Sequence, residues 1–183
     1  MGECRWTSPA CLEHLTALST RYVDLEDFFV NKLEIKNATA WDIKDELVRL
    51  SGKTDRTKSI KELLMWMNNS IGDKLWDDRI PKELGDKAII PVKDNVRVLR
   101  SCGDDDWFIA DTIKLGQLFR GLVALIDFDD DEIAKLAPLF EKLLVHRRYL
   151  SDNYRETQET VGKPILHSAL TDRIRSKAEY ISW

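Results

Sequence analysis

Residues 87–111 constrain the fold most, because this is the only part of the chain whose pattern is typical of β-structure. Two runs rich in β-branched residues, 88–92 and 96–99, flank a polar turn at 93–95, and this pattern predicts an antiparallel hairpin. Pro91 favours an edge strand, since proline cannot donate to a ladder. An isolated ribbon is marginal in water, so we expect flanking helices to cover it or residues 107–109 to add a third strand.

The first 86 residues carry apolar side chains at helical spacing. A glycine near the end of a pattern predicts that the helix stops there, because glycine accommodates the left-handed cap conformation. The pattern predicts a helix over about 9–19, one that starts at Asp24, one that starts at a Thr39/Asp42 capping box and stops at Gly52, one through 60–67, and a short one after Pro81.

The residues after the hairpin return to helical spacing. Asp111 or Thr112 is predicted to cap a helix, residues 122–126 are apolar enough for one more short strand, and a last helix is predicted from Thr171. Asp129 with Glu132 three positions later predicts the start of a further helix, which Pro138 is expected to break or kink.

These elements predict an α+β fold that is mainly α-helical, with two helical groups flanking a small antiparallel hairpin or three-stranded sheet. At 183 residues the chain is long enough to bury a substantial core, so a single domain over 1–183 is predicted. Its parts would be a helical part over 1–86, the hairpin and a linker helix over 87–128, and a second helical part over 129–183.

Charge and cysteine content narrow the classes of partner. The formal net charge of −4 provides no positive field for a phosphate backbone, so no nucleic-acid partner is predicted. No stretch is apolar enough for a membrane span, and the first residues do not resemble a secretion signal. Three cysteines at irregular spacing fit a reducing compartment, which predicts a cytoplasmic protein. The oligomeric state, and whether the chain is a fragment, stay open.

No motif with a known chemistry is present. The sequence has no phosphate-binding loop, dinucleotide fingerprint, nucleophile elbow or zinc-protease motif, which removes the common enzyme classes. The acidic runs at 104–106 and 127–132 are interpreted as a turn and a helix cap, so no metal site and no cofactor are predicted. Cys102 is the one thiol expected to be exposed, with a pKa raised by its acidic neighbours. Catalytic residues are unknown at this point.

Aromatic residues are the best candidates for a binding site. The chain has six tryptophans, and Trp76 stands in an irregular segment where it either plugs the core from the rim or lines a pocket. Trp107 and Phe108 follow the acidic turn, and Tyr149 follows a pair of arginines. The predicted substrate-binding residues are therefore Trp76, Trp107, Phe108 and Tyr149.

Across most of residues 6–181 the chain resembles a known family. The strings YVDLEDFFVNKL, ATAWDIKDELVRL, KAIIPVK, WFIAD, LFRG, ALIDFDDDE and RYLSDNYRE occur in that order. They are similar to a region of large fungal proteins related to the NO VEIN and sacsin-like families, where the region follows a GHKL-type ATPase module of the Hsp90 kind. Nothing here matches the ATP-binding residues of that module. The resemblance therefore implies no ATPase activity and supplies no active site.

Two hypotheses follow. The first is a helical module without ATPase activity, derived from a fungal NO VEIN-like protein, that binds an apolar ligand or a protein partner. The second is a cofactor-independent cyclase or isomerase of the pericyclase type, acting on an apolar fungal metabolite such as a terpenoid or polyketide. Under the second hypothesis, Trp76, Trp107 and Tyr149 should line one enclosed cavity.

Overall fold

The structure, a computed structural model, describes residues 3–155 except 13–14, 74–75 and 95, and also residue 157. The predicted helix from Thr171 lies outside these residues. Short 3-10 turns lie at Val23–Leu25, Thr54–Arg56 and His146–Arg148, and a π-helix at Asp27–Lys32. The helices are α1 Ala40–Leu50, α2 Thr57–Asn69, α3 Arg79–Leu84, α4 Ile113–Leu118, α5 Asp130–Lys142 and α6 Leu150–Asn153. The strands are β1 Glu3–Arg5, β2 Leu15–Ala17, β3 Ile90–Lys93, β4 Arg97–Arg100, β5 Trp107–Phe108 and β6 Ala124–Ile126.

The predicted fold class is wrong in its sheet. The described residues form a four-stranded mixed sheet in the order β4-β3-β6-β5 and a separate two-stranded parallel sheet of β1 and β2. The hairpin of β3 and β4 is antiparallel as predicted, with Val92 opposite Val98. Strand β6 then pairs antiparallel with β3 and parallel with β5. The strand of residues 107–108 therefore joins the sheet through β6, which lies between it and the hairpin.

The prediction that Pro91 lies on an edge strand is also wrong, because β3 has a neighbour on each side. The carbonyl of Pro91 accepts from the N–H of Asp127 at 2.8 Å, just past the Val92–Ile126 pair where the ladder with β6 ends. Proline has no N–H to return this bond. It is tolerated in an inner strand because it lies where the ladder stops.

The N-terminal segment departs furthest from its pattern. The helix predicted over 9–19 is wrong, since Leu15–Ala17 form a strand that pairs in parallel with β1. Leu12 and Leu15 are nevertheless buried, so the apolar positions were identified correctly and only the backbone conformation was not. The segment from Asp24 forms a 3-10 turn and a π-helix in which no residue is buried. Pairing with a distant strand has overridden the local helical spacing here.

The predicted capping boxes are confirmed. Thr39 Oγ1 accepts from the N–H of Asp42 at 3.3 Å, and Asp42 Oδ2 accepts from the N–H of Thr39 at 2.8 Å, at the start of α1. Asp129 and Glu132 make the same exchange at the start of α5. Thr112 caps α4 through the N–H of Leu115. Each box satisfies main-chain donors that a helix start leaves free.

Pro138 does not end helix α5, which continues to Lys142. The side-chain amide of Asn68, on α2, lies beside the proline: its Nδ2 donates to the Lys135 carbonyl at 2.9 Å, and its Oδ1 accepts from the Leu139 N–H at 3.2 Å. Asn68 therefore supplies partners to main-chain groups beside the proline, where the helical ladder is interrupted. The same contact fixes α2 against α5.

One hydrophobic core unites the helices with the sheet. It contains the inner faces of α1, α2 and α5 together with β3, β6 and the ring of Trp107. Among the described residues, no helix combines the length and the apolar character needed to cross a membrane.

Candidate ligand-binding groove

A groove with a volume of about 720 Å³ lies between residues 30–40 and the C-terminal end of α2. Its exposed lining is mostly apolar, and its volume falls within the range of small-molecule sites in proteins. We call it the Trp76 groove. Its lining residues are Val30, Glu34, Ile35, Lys36, Asn37, Ala38, Thr39, Ala40, Ser70, Asp73 and Trp76.

The N-terminal wall of the Trp76 groove is held in place by main-chain hydrogen bonds to the segment around β1. The N–H of Ala38 donates to the Thr7 carbonyl at 2.8 Å, and the N–H of Trp6 donates to the Lys36 carbonyl at 2.9 Å. Asn37 Oδ1 accepts from both the N–H and the hydroxyl of Thr7, at 3.2 and 2.8 Å. The wall therefore depends on residues that precede it by about thirty positions.

The same wall has an unusual backbone. It follows the π-helix Asp27–Lys32, which contributes Val30 to the groove, and Glu34 has φ of 53°. A π-helix is rare and frequently occurs at functional sites, and a non-glycine residue in the left-handed region is held there by its surroundings. Both features make the backbone of this wall unusual among the described residues.

The opposite wall is Trp76, whose ring is half-buried against the core. Its Nε1 donates to Asp78 Oδ1 at 3.1 Å, and the same oxygen accepts from Lys142 Nζ at 2.9 Å. The hydrogen bond from Lys142, followed by that from Trp76, lowers the pKa of the Asp78 carboxyl. The indole therefore has one preferred orientation, with its polar edge already satisfied.

The start of α1 closes one end of the groove through Thr39 and Ala40. Arg5 on β1 donates to both oxygens of Asp42, at 3.3 and 3.0 Å. Burial opposes ionisation of this carboxyl, but the hydrogen bonds from Arg5 and Thr39 outweigh it and hold its pKa below the ordinary value of 3.8. One carboxylate thus caps the helix and attaches the N-terminal segment to it.

The polar groups of the Trp76 groove lie at its rim. Glu34, Lys36 and Asp73 are exposed, and Ser70 donates its hydroxyl hydrogen to the Trp66 carbonyl at 3.0 Å. The lining therefore offers an apolar surface with an indole face and a few charges at the edge, which suits holding an apolar body. In the described part of the chain, no group of three potential metal ligands comes together.

The structure separates the predicted site residues. Trp107 is 0% exposed and belongs to the core, where Nε1 donates to the Ser101 carbonyl at 3.1 Å. Phe108 lines a different cavity, beside Arg100. Tyr149 is half-buried, forms a bridge to Ile109 and lines a third cavity. Of the four, only Trp76 lines the groove, so these residues do not form the single cavity that the cyclase hypothesis requires.

The contact of Arg148 with the core was not predicted. Its guanidinium lies 4.7 Å from the centre of the Trp107 ring, and Nη2 donates to the Cys102 carbonyl and to Asp105 Oδ1, both at 3.1 Å. It fastens the acidic turn to the core. The sequence shows a pair of arginines but contains no signal for this contact, because the partners are more than forty positions away.

The acidic turn itself is explained by separate partners for its three carboxylates. Asp104 Oδ2 accepts from the N–H of Ser101 at 2.8 Å, Asp105 pairs with Arg148, and Asp106 Oδ2 lies 2.9 Å from Arg100 Nη2. Cys102 is partly buried, and burial, more than the nearby acids, raises the pKa of its thiol to about 12. The expectation of an exposed thiol is therefore wrong, while the direction of its pKa is confirmed.

Comparison with known proteins gives one match. A family model described as "Domain of unknown function (DUF8348)" matches residues 42–154. No curated protein and no solved structure matches the chain. The matched range includes Trp76 and all of α2 but not residues 30–40, so the family domain supplies one wall of the groove and the N-terminal segment supplies the other. The resemblance to NO VEIN and sacsin-like proteins stays a prediction. More than half of the chain lies within the match, and the chain therefore belongs to the DUF8348 family.

Proposed function

We propose that this protein is a binding module without ATPase activity that holds a small apolar molecule in the Trp76 groove. The observation that carries the proposal is the groove itself: about 720 Å³ with a mostly apolar lining and an indole wall. The hydrogen bond from the indole to Asp78 leaves the ring face for a ligand. Burial of apolar ligand surface against this face would provide the affinity.

Two further features support a binding role. The wall opposite Trp76 contains the π-helix and the positive φ of Glu34, both of which cost conformational free energy. Next to it, Phe28 and Leu33 are about half exposed, so apolar surface continues beyond the groove. A ligand that covers this wall would remove apolar surface from water, and the free energy of that burial would offset the cost of the unusual backbone.

The test is a fluorescence titration with a panel of terpenoid and polyketide metabolites. We expect saturable quenching by at least one of them in the wild-type protein, and loss of that signal in Trp76→Phe. Trp66→Phe is the matched control, because Trp66 packs against the core from the same region but does not line the groove. Its signal should keep the wild-type dissociation constant.

A second variant tests binding without removing any of the tryptophans that report it. Ala38→Leu places a larger apolar side chain in the groove wall and should abolish binding while leaving the six-tryptophan spectrum and the stability close to wild type. No saturable response to any member of the panel, or unchanged binding in Ala38→Leu, would contradict the proposal.

A further inference from the structure

A second cavity, of about 390 Å³, lies between β6, helix α4 and the start of α5. It shares no lining residue with the Trp76 groove, so a ligand could occupy either cavity independently of the other. We call it the α4 cavity. Its volume is sufficient for a small metabolite.

The α4 cavity has an apolar interior and a charged rim. Ile126 and Ile133 line the interior, and each is only 5% exposed. The rim carries two cations and two anions, all of them exposed. In the part of the chain that the structure describes, none of these four side chains pairs with another charged group. They are Lys93, Arg120, Asp94 and Asp130.

The other charged side chain that lines this cavity, Asp127, already has two charged partners. Asp127 Oδ2 lies 3.3 Å from Lys61 Nζ and 3.2 Å from Arg97 Nε, and Asp127 is largely buried. The two cations more than neutralise the Asp127 carboxylate, so the three side chains together carry a net charge of +1. The rim charges without a charged partner among the described residues are the two positive and two negative ones named above.

The wall formed by α4 and the turn that follows it contains two glycines, Gly116 in the helix and Gly121 in the turn. Gly121 has φ of 76°, which a side chain would strain, and a Cβ on Gly116 would lie 3.4 Å from Cβ of Ala110. Because Gly116 has no side chain, helix α4 can lie close to Ala110, which follows β5. The two glycine amides also provide reporters at the cavity wall.

We propose that the α4 cavity binds a small dipolar molecule that carries an anionic group and an amine on a short carbon chain. The anionic group pairs with Lys93 and Arg120, the ammonium group pairs with Asp94 and Asp130, and the carbon chain contacts the isoleucine interior. A ligand with a single charge leaves one pair of rim groups without a partner and is bound less tightly.

The test uses matched probes in two-dimensional amide NMR titrations. γ-Aminobutyrate, butyrate and butylamine share a carbon chain and differ in their charged ends, and phosphoethanolamine replaces the carboxylate by a phosphate. We expect one or both dipolar probes to shift the amides of Gly116 and Gly121 saturably. The dissociation constant should be about tenfold lower than for butyrate or butylamine, equivalent to about 1.4 kcal/mol. The tighter of the two dipolar probes identifies the anionic group.

Arg120→Gln removes one of the two rim cations and should raise the dissociation constant of the dipolar probe severalfold, towards that of butylamine. Arg147→Gln is the matched control, because Arg147 is exposed and lines none of the cavities described above. Equal binding of the three carbon-chain probes, no saturable shift of the glycine amides by either dipolar probe, or full binding in Arg120→Gln would overturn the proposal.

Discussion

Trp76 and Trp107 were predicted to share a role, but the structure gives them opposite surroundings. Trp107 is completely buried between the sheet and the Arg148 guanidinium, whereas Trp76 is half-buried at the wall of an open groove. Both indole N–H groups have an acceptor, Ser101 for one and Asp78 for the other. A satisfied indole therefore does not distinguish a core residue from a site residue. What distinguishes them is the burial of the ring, which is complete for Trp107 and partial for Trp76.

The largest effect should come from Trp107→Ala. Removing a fully buried aromatic ring leaves a cavity, and we expect the free energy of unfolding to fall by about 3–5 kcal/mol. Denaturant unfolding would measure this loss, provided that the free energy of unfolding depends on denaturant concentration with the same slope in both proteins. A loss below about 1 kcal/mol would show that the ring does not support the core and would remove the contrast with Trp76.

The next effect should come from Arg148→Gln. This change removes the cation over the Trp107 ring and the hydrogen bond to the Cys102 carbonyl, and we expect a loss of about 1–3 kcal/mol. The same unfolding measurement on Arg147→Gln, an exposed neighbour, should show almost no change.

Asp105→Asn distinguishes the contribution of the Arg148 ion pair with Asp105 from that of its contact with the Trp107 ring. Asp105 is 97% exposed, so its ion pair with Arg148 contributes little, and we expect a loss near zero. If Asp105→Asn costs as much as Arg148→Gln, the guanidinium acts through the surface pair and not through the ring.

Lowering the pH should reduce the contribution of the Asp42 contacts, beside the Trp76 groove, to the free energy of unfolding. The folded-state pKa of Asp42 is depressed, so its contribution to stability is present above the ordinary value of 3.8 and is lost as the pH falls through the folded-state pKa below it. Asp42→Asn should cost about 1 kcal/mol at neutral pH, because a neutral amide with one oxygen replaces the carboxylate that accepts from both Arg5 and the N–H of Thr39. Unfolding measured against pH should show the two proteins converging below 3.8. A constant difference down to lower pH would contradict this role.

Trp76→Ala should have a much smaller effect on stability than Trp107→Ala. The ring is half-buried at a groove and its removal opens the groove to water without leaving an enclosed cavity, so we expect a loss below about 1 kcal/mol. Thermal and denaturant unfolding would both measure it. A loss comparable to that of Trp107→Ala would make Trp76 a core anchor, and the groove would then be a consequence of packing.

Local signals predicted the helices that begin at a capping residue, but not the conformation of the described part of the first 32 residues. The capping boxes at Thr39 and Asp129 lie within four consecutive residues, so the atoms that form them are near each other in any conformation of the chain. The hairpin of β3 and β4 was predicted for the same reason. The insertion of β6 beside β3 was not, because short apolar segments do not specify which strand they pair with. The parallel pair β1–β2 replaced a predicted helix for the same physical reason.

Only one wall of the candidate site, the one formed by Trp76, was predicted from the sequence. Trp76 stood out as an aromatic residue in an irregular segment, but Val30, Ile35 and Ala38 carry no signal of a binding surface. They line the groove because hydrogen bonds from Trp6 and Thr7 position the segment that contains them.

The sequence by itself determined where the capped helices α1, α4 and α5 begin and where the hairpin turns, since these depend on neighbours along the chain. The tertiary structure decided the strand order, the separation of Trp76 from Trp107 and the contact of Arg148 with the core. These depend on contacts between residues that are far apart in the sequence, as are Asn68 and the residues that it contacts beside Pro138. Their free energy comes from burial and hydrogen bonding across the fold, which no local pattern records.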